Sequence, residues 1–388
     1  MVLFDMVETI RRISFHSPSF SEPAVQYAME SLKSGNTRGS LNASFGSRAV
    51  RILENLVPRT SVFLTPSCTS ALEITSLLMC LRAGDEVIMP AYNFTSAAIA
   101  VSNYGAIPVF VDIDIENLCI DTNLIQNAIT QRTRAISWVN YGGAVPNVSK
   151  LKDIAVTNGT FLVEDAAHGI GYDCVGGAVL GSIGDFSVTS FHETKNIQCG
   201  EGGALILNNL SYLNQARIIV EKGTNRWQFS EGKTNNYEWV GPGGSHLMAD
   251  SLAAVLLGQL YSHAESQKRK QEIYTEYYFG LREWAQDNKV RLPQYDNSSS
   301  QAAHLFYLIC PSAKFRINLQ DHLKNLGITA VTHYRNLASS PAGSIYGRIN
   351  SNLDVTNTIV NRLLRIPLWE MSKEESNYVV RAIINFRP

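Results

Sequence analysis

From about residue 62 to 207 the chain repeats one phrase: a short apolar, β-branched run, a turn, then a helical pattern. Val62-Phe63-Leu64 leads through TPSCTS into ALEITSLLMCLRAG. There Leu72, Leu77, Leu78 and Leu81 recur at helical spacing, and Gly84 stands where a helix C-cap belongs. Further apolar runs lie at 86–89, 108–112, 135–139 and 160–164, with a helical stretch through SAAIAVSNYG. Strands alternating with helices predict an α/β fold with a mostly parallel central sheet covered on both faces. Ligands gather beyond the carboxyl ends of such strands, so chemistry is expected just after each apolar run.

After residue 207 the pattern changes. Residues 211–240 hold a basic, polar segment (EKGTNRWQFSEGKTNNYEW) of low periodicity, which predicts a long excursion. A strong helix is predicted from about 248 to 284, and the remainder alternates more loosely, with strands expected at 304–310 and 327–333. The division expected is a large domain over 1–260 and a smaller C-terminal α/β domain over 261–388, joined through the long helix. The KRKQE charges on that helix read as a solvated face.

Composition narrows the classes. With 388 residues, 45% hydrophobic and 17% charged, the chain has ample material for a buried core. Thirty-three Lys and Arg balance 34 Asp and Glu, so no electrostatic footprint points to nucleic acid or an anionic membrane. Asp5 and Glu8 interrupt the apolar N-terminal stretch and the arginines follow it, the wrong order for a secretory signal. No apolar run approaches membrane-spanning length. The 6 cysteines are scattered without CxxC pairs, which suggests neither a disulfide framework nor a metal site. The expectation is a cytoplasmic protein without a metal.

Four segments carry candidate chemistry. Lys195, in SFHETKN before GEGGA, stands between two apolar runs. A buried amine loses proton affinity, as a Schiff-base lysine requires; the alternative is a loop lysine in water. The run TFLVEDAAHG ends its strand in Glu164 and Asp165, offering a carboxylate to a pyridine nitrogen; the alternative is a helix N-cap by Asp165. TPSCTS joins a strand to a helix, where free N–H groups and hydroxyls attract a phosphate; the alternative is capping by Ser67 or Thr69. PAYNFT, at 90–95, offers an aromatic face or simply core packing. No Walker or GxGxxG pattern occurs. A phosphate cradle, a stacking ring, an acid and an amine at consecutive strand ends together ask for pyridoxal 5′-phosphate.

On SGNTRG, LTPSCTSALE, GDEVIMPAYNFTSAA, GAIPVFVDID, VEDAAHG, SFHETKNIQCGEGGA, EKGTNR, LMADSLAAVLLGQL and LLRIPLW, the chain resembles the DegT/StrS-type sugar aminotransferases. Within them it looks most like the dTDP-4-amino-4,6-dideoxygalactose transaminases. The resemblance implies fold type I and a PLP-dependent transferase acting on a nucleotide-linked keto-sugar with L-glutamate as donor. It implies that Lys195 forms the internal aldimine, Asp165 pairs with the pyridine nitrogen, Phe94 stacks on the ring and His168 flanks it. Thr69, Ser70 and Ser190 would hold the phosphate. Members are homodimers with shared active sites, so Asn225 and Arg226 of the excursion would reach the partner's site. Related dehydratases carry histidine in place of the lysine, so Lys195 favours transamination. The pattern departs at Asn140, where many members have histidine, at Leu247, where an asparagine is common, and at 333–338, which lacks the proline and second histidine of HYxPLH. Those departures leave open a C3 aminotransferase and UDP- or GDP-linked substrates. From another class, a PLP-binding regulatory protein without turnover stays as the rival.

Overall fold

A computed structural model describes residues 12–174, 177–295 and 302–388. The reading of residues 1–11 as no secretory signal lies outside them. Eight strands precede residue 208: β1 (Ser61–Thr65), β2 (Glu86–Pro90), β3 (Tyr92–Asn93), β4 (Ile107–Val111), β5 (Thr133–Val139), β6 (Phe161–Asp165), β7 (Phe186–Ser190) and β8 (Gly203–Leu207). Four follow: β9 (Phe306–Ile309), β10 (Arg335–Asn336), β11 (Arg348–Ile349) and β12 (Leu363–Ile366). The helices of the first half are α1 (Glu22–Ser34), α2 (Ser44–Leu56), α3 (Cys68–Leu78), α4 (Thr95–Ser102), α5 (Thr122–Ala128) and α6 (Val148–Asn158). Then come α7 (Leu213–Val220), α8 (Arg226–Ser230), α9 (Asp250–Asp287), α10 (Ala313–Asn325), α11 (Pro341–Tyr346), α12 (Asp354–Arg362) and α13 (Lys373–Ile384).

The main sheet runs β1-β8-β7-β6-β5-β2-β4-β11. All neighbours pair in parallel except β8, which is antiparallel to both β7 and β1. Strands β2, β7 and β8 are buried along their whole length, as expected of a sheet covered by helices on both faces. Consequently Thr65, Pro90, Val139, Asp165 and Ser190 all end their strands at the same edge.

Helix α9 crosses between two cores. Its Ala253, Leu256, Leu257 and Leu260 pack with α2 and β1 residues, whereas Ile273, Tyr277, Leu281 and Trp284 pack with Phe306, Leu308, Leu364 and Ile366 of a second sheet, β12-β9. The C-terminal segment also returns to the first sheet. Strand β11 pairs with β4, and Arg348 forks onto buried Glu86 at 2.9 and 3.0 Å. Asp112 accepts from the N–H groups of Val355 and Thr356 and from the Thr356 hydroxyl, which fixes the start of α12 beside β4.

Two expectations change in detail. Helix α3 stops at Leu78 rather than near Gly84, because Cys80 adopts φ 53° and the Leu81 N–H bonds back to the Ser76 carbonyl, with Cys80 to Leu77. That is a Schellman closure made without glycine. Gly84 instead takes φ 87° in the next turn, against Gly105. Residues 327–333 form two isolated bridges, Ile13 to Ile328 and Val331 to Arg365, not a strand. The segment passes between different partners, so no run of consecutive residues shares one neighbour.

Candidate active site

The site grows from the common carboxyl edge of the sheet. Strand β6 ends in two acids with opposite environments. Glu164 is fully buried and accepts four hydrogen bonds, from Asn140 Nδ2, the Gly181 and Ile183 N–H groups and Ser187 Oγ. Asp165, one residue on, accepts only the Ala167 N–H among the described residues, at 3.0 Å on Oδ1. The chain then turns rather than starting a helix, so Asp165 is not an N-cap. Burial pushes its carboxyl up to about 6, against the Ala167 hydrogen bond and the charge of Lys195.

Lys195 follows β7 through a tight turn. Part of its side chain is accessible, yet its amine is so enclosed that loss of water pulls it down to about 8, with Asp165 acting in the opposite sense. Among the described residues it makes no ion pair. Cys68, at the start of α3, feels the charges of both Asp165 and Lys195, and its buried thiol is pushed well up, chiefly by loss of water.

The start of α3 has the groups an anion needs. Ser67 Oγ accepts from the Ser70 N–H at 3.1 Å, and Ser67 O from Ala71 at 3.2 Å. That capping leaves the first-turn N–H groups of Cys68 and Thr69 without intrahelical partners. Thr69 Oγ1 lies 2.7 Å from Ser96 Oγ, and Ser70 Oγ lies 2.7 Å from His246 Nδ1. Gly203 permits this arrangement, since a Cβ there would come within 2.4 Å of Cys68 N. Ser190, at the end of β7, shares the lining of a small cavity with Lys195 and Asn196.

An aromatic cluster closes the edge. Tyr92 is core, but Phe94 is 59% exposed, its ring 6.3 Å from that of Tyr334. Asn93 Nδ2 beside it is buried with no hydrogen-bond partner among the described residues. His168 is buried; the Gly142 N–H donates to its Nδ1, so Nε2 carries the proton and faces Tyr334 Oη at 3.3 Å. Burial, reinforced by the charges of Lys195 and Arg365, holds His168 well below its ordinary value and therefore neutral. His304 lies 4.4 Å from it, ring to ring, and His333 is 2.8 Å from Tyr141 Oη.

Asn225 and Arg226, expected at a partner's site, lie apart from this chain's own cluster. Asn225 spends its side chain inside the excursion, accepting from the Glu238 N–H and donating to the Asn236 carbonyl. Arg226 lines a separate cavity of about 540 Å³ with Arg38, Arg217 and Glu221. Asn140 is also no open recognition group, since Oδ1 takes the Trp138 indole N–H and Nδ2 binds Glu164. Leu247 packs against the large core, and the polar contact nearby comes from His246. Sequence reasoning missed His246, His304, Tyr141 and Arg365. For Arg365 a signal existed: a charge inside the apolar run LLRIPLW.

Residues 20–384 match the DegT/DnrJ/EryC1/StrS aminotransferase family. The chain belongs to that family. Its fold is that of the fold-type I aminotransferases, and its cofactor is pyridoxal 5′-phosphate. Solved structures share the architecture at low identity. Spr1654 of Streptococcus pneumoniae in its PMP form is 23% identical with a TM-score of 0.86, over 96% of this chain and 97% of that one. The aminotransferase TlmJ of Streptoalloteichus hindustanus is 24% identical with a TM-score of 0.82, over 96% and 98%. Helicobacter pylori PseC, an aminotransferase involved in the biosynthesis of pseudoaminic acid, is 19% identical with a TM-score of 0.85, over 96% and 98%.

The residues of this DegT/StrS-type chain fit the cofactor of the family. An enclosed, low-affinity amine, an acid with one oxygen left over, hydroxyls at a helix start and the orphaned amide of Asn93 beside an exposed ring are the donor set a phosphorylated pyridine aldehyde requires. No described helix is long and apolar enough to cross a membrane, and no described cluster of His, Cys, Asp or Glu is arranged to hold a metal.

Proposed function

We propose that the protein transfers an amino group from L-glutamate to a dTDP-linked 4-keto-6-deoxyhexose, giving 2-oxoglutarate and a dTDP-4-amino-4,6-dideoxy sugar. The observation that carries this reading is the enclosed Lys195 amine at the same sheet edge as Asp165. When bound, the cofactor supplies an electrophilic carbon and a ring that accepts the electron pair released at the donor carbon.

Lys195 Nζ would hold the cofactor and, as a neutral base, would move a proton from the donor carbon. Its lowered proton affinity serves that step. Asp165 would keep the ring nitrogen protonated, and that cation would offset the burial that otherwise raises its carboxyl. Thr69, Ser70 and Ser190 hold the phosphate with the N–H groups that start α3. Phe94 would stack on the ring, and neutral His168 would flank it.

The working unit we propose is a homodimer, in which Asn225 and Arg226 serve the partner's site. Its support is the excursion's exposed apolar surface, with Trp239 at 82% and Tyr237, Val240 and Phe229 near 50%. The test is the product formed from dTDP-4-keto-6-deoxyglucose and L-glutamate, identified by mass and by NMR of the new amine. UDP- and GDP-linked and 3-keto substrates are run in competition. Preference for one of those moves the substrate assignment; no amination of any keto-sugar overturns the reading.

A further inference from the structure

A hydroxyl has one hydrogen to give, so what it offers an anion depends on where that hydrogen already points. At the start of α3, Ser70 Oγ lies 2.7 Å from His246 Nδ1. With Ser70 donating to the ring, only its lone pairs are left for a phosphate; with the ring donating, its hydrogen is left. Thr69 differs, because its partner at 2.7 Å is a second hydroxyl, Ser96 Oγ, and that pair keeps a spare hydrogen whichever of the two donates.

The chain fixes His246 on both sides. Its N–H donates to the Val220 carbonyl at the end of α7, at 3.2 Å, and Ser245 bridges Glu221. The Met248 N–H donates to the Leu64 carbonyl of β1, also at 3.2 Å. Between these anchors the ring reaches Ser70, 176 residues back in sequence. Gly244 makes room for it, since a Cβ there would strike Nε2. The residue is half-buried, and that burial holds the imidazole below its ordinary value, so at neutral pH the ring carries one hydrogen. Among the described residues nothing bonds Nε2, which leaves Nε2 to accept from solvent and Nδ1 to carry the hydrogen.

We infer that His246 is a positioning residue for the cofactor phosphate: its Nδ1–H donates to Ser70 Oγ and so turns the Ser70 hydrogen toward the anion. The inference rests on the reading, proposed above, that Ser70 holds the phosphate, and deepens it. Nδ1–H, Oγ–H and phosphate oxygen then donate in one direction, and hydrogen bonds aligned in this way strengthen one another. The last acceptor carries charge, where such bonds are strongest. An imidazole that accepted from Ser70 would instead turn oxygen lone pairs toward an anion. Removing the ring therefore weakens phosphate binding in the first orientation and spares or improves it in the second.

The test is the dissociation constant of pyridoxal 5′-phosphate, titrated into the full-length apoprotein, beside that of pyridoxal, which lacks the phosphate. His246→Phe keeps a ring of similar shape without the donor. It should weaken binding of the phosphorylated cofactor about tenfold, the scale of one hydrogen bond, and leave pyridoxal within about twofold of wild type. His246→Leu is read in its place if the phenylalanine variant folds poorly. His246→Asn, which returns a donor near the place of Nδ1, should recover to within about threefold of wild type. In a Ser70→Ala background, His246→Phe should change the affinity by no more than about twofold, because the hydroxyl it directs is gone. Unchanged or tighter cofactor binding without the imidazole overturns the inference. So does an equal loss for pyridoxal, an asparagine variant no better than phenylalanine, or a tenfold loss that persists without the Ser70 hydroxyl. Ser70→Ala that binds the cofactor as wild type does overturns the phosphate reading itself, and the role of His246 with it.

Discussion

Lys195 pulls the Asp165 carboxyl down and Asp165 pushes the Lys195 amine up, yet burial outweighs both couplings. The acid rises from 3.8 to about 6 and the amine falls from 10.5 to about 8. Two groups that are far apart in water become a close acid–base pair near neutral pH.

The amine of the apoprotein should therefore react as a nucleophile at ordinary pH. Acylation of Lys195, followed by peptide mass against pH, is expected to show an inflection at about 8. An inflection near 10.5 would mean the amine is solvated.

Stability of the apoprotein should carry the opposite signatures of the two groups. Between pH 3.8 and about 6 native Asp165 keeps a proton that the unfolded chain has released, so its contribution falls as pH rises, by about 3 kcal/mol. Between about 8 and 10.5 the unfolded chain holds a proton that native Lys195 lacks, so that contribution rises with pH. Asp165→Asn should remove the first slope from denaturant midpoints and leave the second. An unchanged slope below pH 6 would contradict the burial of Asp165.

In turnover, Asp165→Asn should still associate with cofactor but lose at least about 10²-fold in kcat, since an amide does not hold the ring proton as a carboxylate does. Steady-state rates with glutamate and keto-sugar check this. Wild-type turnover would remove Asp165 from its role.

The main sheet was legible because apolar runs and helical repeats alternate in plain order from residue 62 to 207, and the strand ends name the edge where Asp165 and Lys195 meet. Contributions from the last sixty residues were harder to read. His333 and Tyr334 come to the site beside the pairing of β10 with β3, a contact hundreds of residues apart in sequence that no local periodicity encodes, while Arg365 sits on β12, paired with β9. The helix end at Cys80 was missed because a non-glycine residue took the left-handed position. Division of the chain at residue 260 stays a proposal, supported by α9, whose Leu260 and Ile273 pack in different cores.

That return of the C-terminal segment depends on Asp112. Its carboxylate accepts the Val355 and Thr356 N–H groups at 2.9 and 2.8 Å and the Thr356 hydroxyl at 2.6 Å. Asp112→Ala should lower stability by roughly 3–5 kcal/mol, through buried donors left unpaired. Chemical denaturation measures it, and a loss below about 1 kcal/mol would show that the segment docks without this clamp.

The most direct test of the account is borohydride reduction of the purified holoenzyme, followed by digestion and peptide mass. The account predicts that the peptide containing Lys195, and no other lysine, gains the mass of the reduced cofactor. An unmodified Lys195 peptide, with the cofactor fixed elsewhere or not at all, would contradict it.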